Sequence, residues 1–95
     1  MITGKQRAYL RSLANSLKPS IQIGKGGINE NLIKELDQAL ELKELVKANV
    51  LKNSIESASE ICAKASKETG SEIVQVIGNK FVLYRESKEN KTIDI

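Results

Sequence analysis

The chain contains no histidine and no tryptophan, and only one cysteine, one proline and three aromatic residues. Without histidine, and with Cys62 alone, the usual zinc ligand sets cannot be assembled. A lone cysteine also rules out an internal disulfide, and a reducing, cytosolic compartment fits best. Three aromatics (Tyr9, Phe81 and Tyr84) are too few for base stacking to be the main grip on a nucleic acid. No apolar run reaches 18 residues, so no membrane-spanning helix is expected. The opening MITGKQR has no apolar stretch behind its charges and does not read as a secretory signal. No histidine, no cysteine pair and no clustered carboxylates remain to support catalysis. The chain is read as a non-enzyme that needs no cofactor, metal or small-molecule substrate.

What is present is a chain of 95 residues, 40% of them hydrophobic, enough for one domain. A chain of this size can bury roughly 60–70% of its unfolded surface. The formal net charge of +3 is modest, but it is unevenly distributed. Residues 1–27 hold Lys5, Arg7, Arg11, Lys18 and Lys25 and no acid. The next fifteen residues set Lys34 against Glu30, Glu35, Asp37 and Glu41. Basicity gathered in the first third of a nearly neutral chain points to an anionic partner.

Local patterns give an order of elements. Thr3 with Gln6 has the capping-box spacing, and Leu10, Leu13, Ala14 and Leu17 recur at helical intervals until Pro19 stops the helix at or before Lys18. Ile21-Gln22-Ile23 is a short strand. A second helix runs from about 29 to 42, capped by Asn29, with Ile28 and Ile33 at staple spacing and Leu32, Ile33, Leu36 and Leu40 as its apolar stripe. Leu45 to Leu51 alternates as a strand, with Val46, Ala48 and Val50 inward and Lys47 and Asn49 outward. A third helix starts near Ser54 or Ser57, buries Ala58, Ile61, Cys62 and Ala65, and stops at Gly70. Cys62 on that stripe reads as an inert core thiol. Gly78-Asn79 joins Ile73–Ile77 to Lys80–Arg85 as a hairpin. The expected fold is an α/β sandwich of order α-β-α-β-α-β-β, with a four-stranded mixed sheet and three helices. Residues 1–86 form the domain. The polar residues 87–95 are expected to be a flexible tail.

The chemistry concentrates in Gly24-Lys25-Gly26-Gly27, between a strand and a helix start. The first N–H groups of a helix lack internal partners and lie at the positive end of the dipole. Glycine lets a phosphate approach the backbone closely, and Lys25 adds a mobile charge. Together these make an anion site. A dinucleotide fingerprint would require glycine where Asn29 stands, and no Walker loop can be aligned. G-x-x-G is what remains, the pattern with which KH domains clamp nucleic-acid backbone. A plain glycine-rich turn carrying an exposed lysine has the same local sequence.

The first helix adds to this reading. At 100° per residue, Arg7, Arg11 and Lys18 share one angular position away from the leucines. Lys5 and Arg7 lie in first turns, where cations are disfavoured by roughly 0.3–1 kcal/mol each, a cost that a bound phosphate would offset. Phe81-Val82-Leu83-Tyr84 resembles the end of the RRM signature, but the element order differs, and Phe81 and Tyr84 read as core or sheet-surface residues.

Several spaced motifs together resemble the CRM domain family, named for chloroplast RNA splicing and ribosome maturation, and in particular its small bacterial YhbY-like members. They are Thr3-Gly4-Lys5-Gln6-Arg7 with Leu10, Leu17-Lys18-Pro19, Ile23 to Gly27, Glu44-Leu45-Val46-Lys47, Thr69-Gly70, Ile77-Gly78 and Val82-Leu83-Tyr84-Arg85. The likeness covers about residues 2–86. It implies a fold like the C-terminal domain of bacterial translation initiation factor three, and RNA binding through the loop and nearby basic surface. It also implies a cytoplasmic role on ribosomal RNA in large-subunit precursors during ribosome assembly. The candidate RNA-binding residues are Gly24, Lys25, Gly26, Gly27, Lys5, Arg7, Arg11 and Lys18, with Lys47 and Arg85 as weaker members. The alternative is a protein-interaction module that docks on a ribosomal protein or assembly factor through the same basic surface.

Overall fold

Each helix begins where a side chain can close its first turn. In the computed structural model, which describes residues 2–95, α1 (Gly4–Ala14) starts after Thr3. The Thr3 hydroxyl accepts from the Gln6 N–H at 3.1 Å, and the Thr3 N–H donates to Gln6 Oε1 at 2.8 Å. Ser57 and Glu60 repeat this reciprocal cap at α3 (Ala58–Thr69), which settles its start at Ser57. Asn29 caps α2 (Glu30–Lys43) by accepting from the Leu32 N–H. Gly70 ends α3 at φ +65°, a left-handed position that suits glycine.

The strands are β1 (Ile21–Ile23), β2 (Leu45–Val50), β3 (Glu72–Ile77) and β4 (Lys80–Tyr84). They form one sheet in the order β1-β2-β4-β3, with β1 parallel to β2 and the other pairs antiparallel. This is the expected three-helix, four-stranded mixed fold. The hairpin strand β4 enters between β2 and β3, so α3 carries the chain across it.

The two sheet faces are covered differently. Ile21, Ile23, Val46, Ala48, Val50, Phe81 and Leu83 pack under α2 and α3 in the larger core. Leu45, Val74, Val82 and Tyr84 meet Leu10 and Ala14 of α1 on the opposite face. The aromatic pair Phe81 and Tyr84 is therefore buried, on opposite sides of the sheet. Cys62 is fully buried in the larger core, and burial pushes its thiol pKa up to about 11.

Two features depart from the sequence reading. First, α1 ends at Ala14, earlier than Pro19 requires. The Ser16 and Leu17 N–H groups bond back three residues, to Leu13 and Ala14, and the Ser16 hydroxyl also takes the Leu13 carbonyl. The final turn tightens and unwinds, as Asn and Ser favour outside helix interiors. Leu17 leaves the apolar stripe and is 38% exposed. Second, polarity suggests fraying for 87–95, yet this segment folds back over the α2–β2 junction. Glu44 sits there fully buried at φ +66°. Its carboxylate accepts the N–H groups of Ser87, Thr92 and Ile93 at 2.8, 2.7 and 2.8 Å. Glu41 accepts from the Ser87 hydroxyl and from the Lys88 and Glu89 N–H groups.

Candidate nucleic-acid interface

The glycine segment is a tight turn at one end of the sheet. The β ladder runs to its edge, with the Leu51 N–H donating to the Ile23 carbonyl at 2.8 Å. The turn is closed by the Gly27 N–H donating to the Gly24 carbonyl at 3.0 Å. Its glycines have different reasons to be there. Gly27 has φ +59°, and a Cβ there would sit 3.2 Å from Glu56 Oε1. The fold itself requires this glycine. Gly24 and Gly26 have ordinary space around them, and no atom lies closer than 3.8 Å to a Cβ built on either. Neither position demands glycine for space. Replacing Gly27 by Ala is expected to cost about 1 kcal/mol from the left-handed backbone, with a further penalty from crowding Glu56, which is paired with Lys64. Chemical denaturation measures this. Gly26→Ala should be nearly neutral in the same assay.

Lys25 is exposed at the tip. The ion pairs among the described residues join Lys64 to Glu56, Arg85 to Asp37 and Lys91 to Glu86, so Lys25 belongs to none of them. Because the Gly27 N–H is used inside the turn and the Leu32 N–H by the Asn29 cap, the α2 donors left to meet an anion are the Glu30 and Asn31 N–H groups, beside those of the loop. A depression of about 230 Å³ opens beside them, lined by Gln22, Gly24, Gly26, Gly27 and Asn29 and bounded by Glu35. Glu30 and Glu35 set an acidic border on the α2 side.

The other basic candidates separate into free and engaged groups. Lys5 and Arg11 are exposed on α1, and Lys18 is exposed in the linker before β1. Because α1 ends at Ala14, the shared helical angle does not include Lys18, which lies in the linker before β1. Arg7 is half-buried, and its Nε donates to the Ile73 carbonyl at 3.1 Å, beside the β-bulge between Ile73 and Gln75. Lys47 lies on the α1 side of β2 and donates to the Ala14 and Leu17 carbonyls at 3.4 and 3.3 Å, where it complements the helix C-terminus. Arg85 is occupied elsewhere. It reaches Asp37 Oδ1 at 2.6 Å, the Thr69 carbonyl at 2.8 Å and the Asp37 carbonyl at 3.0 Å. Register places Lys80 opposite Asn49 at the loop end of the sheet and Tyr84 opposite Leu45 at the other, so Arg85 lies at the end remote from the glycines.

Among the cations that the sequence reading left out of the site is Lys80. It lies on the same face as Lys47 and Asn49, beyond the reach of α1. Alternation along the hairpin could have placed it outward, but only strand order shows that it neighbours β2.

The model of the CRS1 / YhbY (CRM) domain matches residues 2–85. The chain belongs to this family. Among curated relatives, "Probable RNA-binding protein YqeI" of Bacillus subtilis is 50% identical over 95 residues, covering 100% of this chain and 99% of that protein. An "RNA-binding protein" of Haemophilus influenzae is 36% identical over 90 residues, covering 95% and 91% of the two chains. The solution structure of the hypothetical protein SAV1595 from Staphylococcus aureus superposes with a TM-score of 0.83 at 56% identity, covering 100% of this chain and 99% of that one. The CRM fold expected from the spaced motifs is therefore the fold of this chain. Among the described residues, no helix is long and apolar enough to cross a membrane and no group of three or more His, Cys, Asp or Glu side chains could hold a metal ion.

Proposed function

We propose that this CRM-family chain is a non-enzymatic RNA-binding protein that acts in the cytoplasm on ribosomal RNA in large-subunit precursors. One observation carries the RNA-binding part. A bare glycine turn with an unpaired lysine at its tip stands between a strand and a capped helix, and the 27 residues up to its end carry no acid. In this reading, Gly24 to Gly27 and Lys25 hold one phosphate segment, and Lys18, Arg11, Arg7 and Lys5 continue the track along the linker and α1. Lys47 contributes charge from beneath it, while Arg85 is left out as a structural tie. The family resemblance and the naming of relatives as RNA-binding proteins support this reading.

The direct test is affinity for single-stranded RNA as a function of salt. Log affinity should fall linearly with log salt concentration, by about 0.7 per phosphate neutralised. Affinity independent of salt would remove the phosphate track. The ribosomal part is tested by co-sedimentation with large-subunit precursors before and after RNase treatment. Release on digestion is expected. Retention would favour the second reading, docking on a ribosomal protein or assembly factor through the same basic surface.

A further inference from the structure

The α1 side of the sheet is only half covered. α1 packs over Leu45, Val74, Val82 and Tyr84. One row further towards the glycine turn the face is open. Register aligns Gln22, Asn49, Lys80 and Ile77 across all four strands in a single line. Gln22 and Lys80 are exposed, and Ile77 is 63% exposed. Period-two alternation from Gln22 puts Gly24 on this same face. A Cβ at Gly24 would lie 3.8 Å from Leu51 Cδ1, so Leu51 forms the next row with it. The turn and the row are thus neighbouring parts of one surface, and Gln22 also lines the depression beside the turn.

The centre of the row is a fixed pair of amides. Asn49 Nδ2 donates to Gln22 Oε1 at 2.9 Å. That bond orients both groups and leaves the Gln22 amino group as a donor and the Asn49 carbonyl oxygen as an acceptor. A donor and an acceptor in one row complement a base edge that carries an amino group next to a ring nitrogen, which adenine and cytosine have and uracil lacks. Phosphate contacts position a strand but carry no sequence information, whereas groups of this kind do.

We propose that the Gln22–Asn49 pair reads an unpaired adenine in the strand whose backbone is held by the Gly24–Gly27 turn, with Lys80 and Ile77 flanking the base. This rests on the RNA-binding reading above and adds a base preference to it. The test uses nonamers of riboadenosine, ribouridine and purine riboside, the last lacking only the exocyclic amino group. Wild-type protein should bind the adenosine nonamer about tenfold more tightly than the uridine nonamer. The purine riboside nonamer should fall to the uridine level, which separates amide recognition from stacking. The double variant Gln22→Leu/Asn49→Val should bind the adenosine and uridine nonamers alike, at the wild-type uridine affinity. If the wild type binds all nonamers equally, phosphate binding stands and the adenine reading is overturned. Undiminished affinity for purine riboside overturns it too, and so does a preference that survives in the folded double variant. Should the double variant lack native circular dichroism, the purine riboside comparison on wild-type protein decides alone. No binding to any nonamer would overturn both readings.

Discussion

Lys25→Asp is expected to weaken single-stranded RNA binding by about ten- to a hundredfold while leaving the fold intact. Lys25 is exposed and shares no ion pair among the described residues, so nothing structural is lost with it. The substitution removes a charge-assisted contact worth roughly 1.5–3 kcal/mol and sets an anion where a phosphate would approach. The loss should shrink as salt rises, because the contact is exposed and screened. Filter binding or fluorescence anisotropy at two ionic strengths measures it, and a thermal melt confirms the fold. Wild-type affinity in the folded variant would mean that the glycine turn is not the grip. Arg85→Ala should behave in the opposite way. It should cost stability through the lost contacts to Asp37 and Thr69 while leaving RNA affinity unchanged.

The second large effect concerns stability and lies far from the loop. Glu44→Gln should destabilise the protein by about 1–3 kcal/mol and loosen residues 87–95. The amide keeps one oxygen acceptor where the carboxylate has two, and its NH₂ group must face either the Ser87 N–H, which bonds Oε2, or the Thr92 and Ile93 N–H groups, which bond Oε1. Those bonds also sustain a non-glycine residue at φ +66°, ψ −38°, a conformation that persists only when its surroundings hold it. Faster amide exchange at Ser87, Thr92 and Ile93, together with a lower denaturation midpoint, is the expected result. Unchanged exchange would mean that the tail is held by other contacts.

The same carboxylate makes stability depend on pH in a definite direction. Burial, the largest single influence, raises the pKa of Glu44, but the N–H groups of Ile93, Ser87 and Thr92 together outweigh it and hold the pKa below the ordinary 4.5. Glu41 is also lowered, first by the Ser87 hydroxyl and then by the Lys88 and Glu89 N–H groups. A group with a depressed folded-state pKa contributes its stability in full above the unfolded value and loses it as pH falls through the folded value. Stability should therefore hold above pH 4.5 and decline below it, with tail amides exposed first. Glu44→Gln should flatten that acid slope.

Much of this molecule can be read locally. Thr3–Gln6, Asn29 and Ser57–Glu60 announce helix starts because a cap is a contract between residues three apart. Ile21–Ile23, the alternation of Leu45–Val50 and the Gly78-Asn79 hairpin define strands in the same way. The glycine turn was legible too, with its lysine and its place before a capped helix. So was the acid-free stretch ahead of it, and the spaced motifs pointed to the CRM family that the comparisons establish.

Tertiary structure decided what depends on residues distant in sequence. Strand order brings Lys80 beside Asn49 and Gln22, a neighbourhood shared by residues from three separate strands. The early end of α1 detaches Lys18 from the helical row. Which cations are free and which are spent could not be read from charge alone: Lys25 stands open, while Arg85 closes on Asp37 and Lys47 on the end of α1. The polar tail gave no hydrophobic pattern to read, because two buried or half-buried carboxylates hold it by backbone N–H groups, which every sequence supplies alike. The sequence by itself therefore determined the elements, the family and the glycine turn, since each depends on short-range pattern. The tertiary structure decided which side chains share a surface with that turn and which are consumed in holding the fold, since both depend on where distant segments meet.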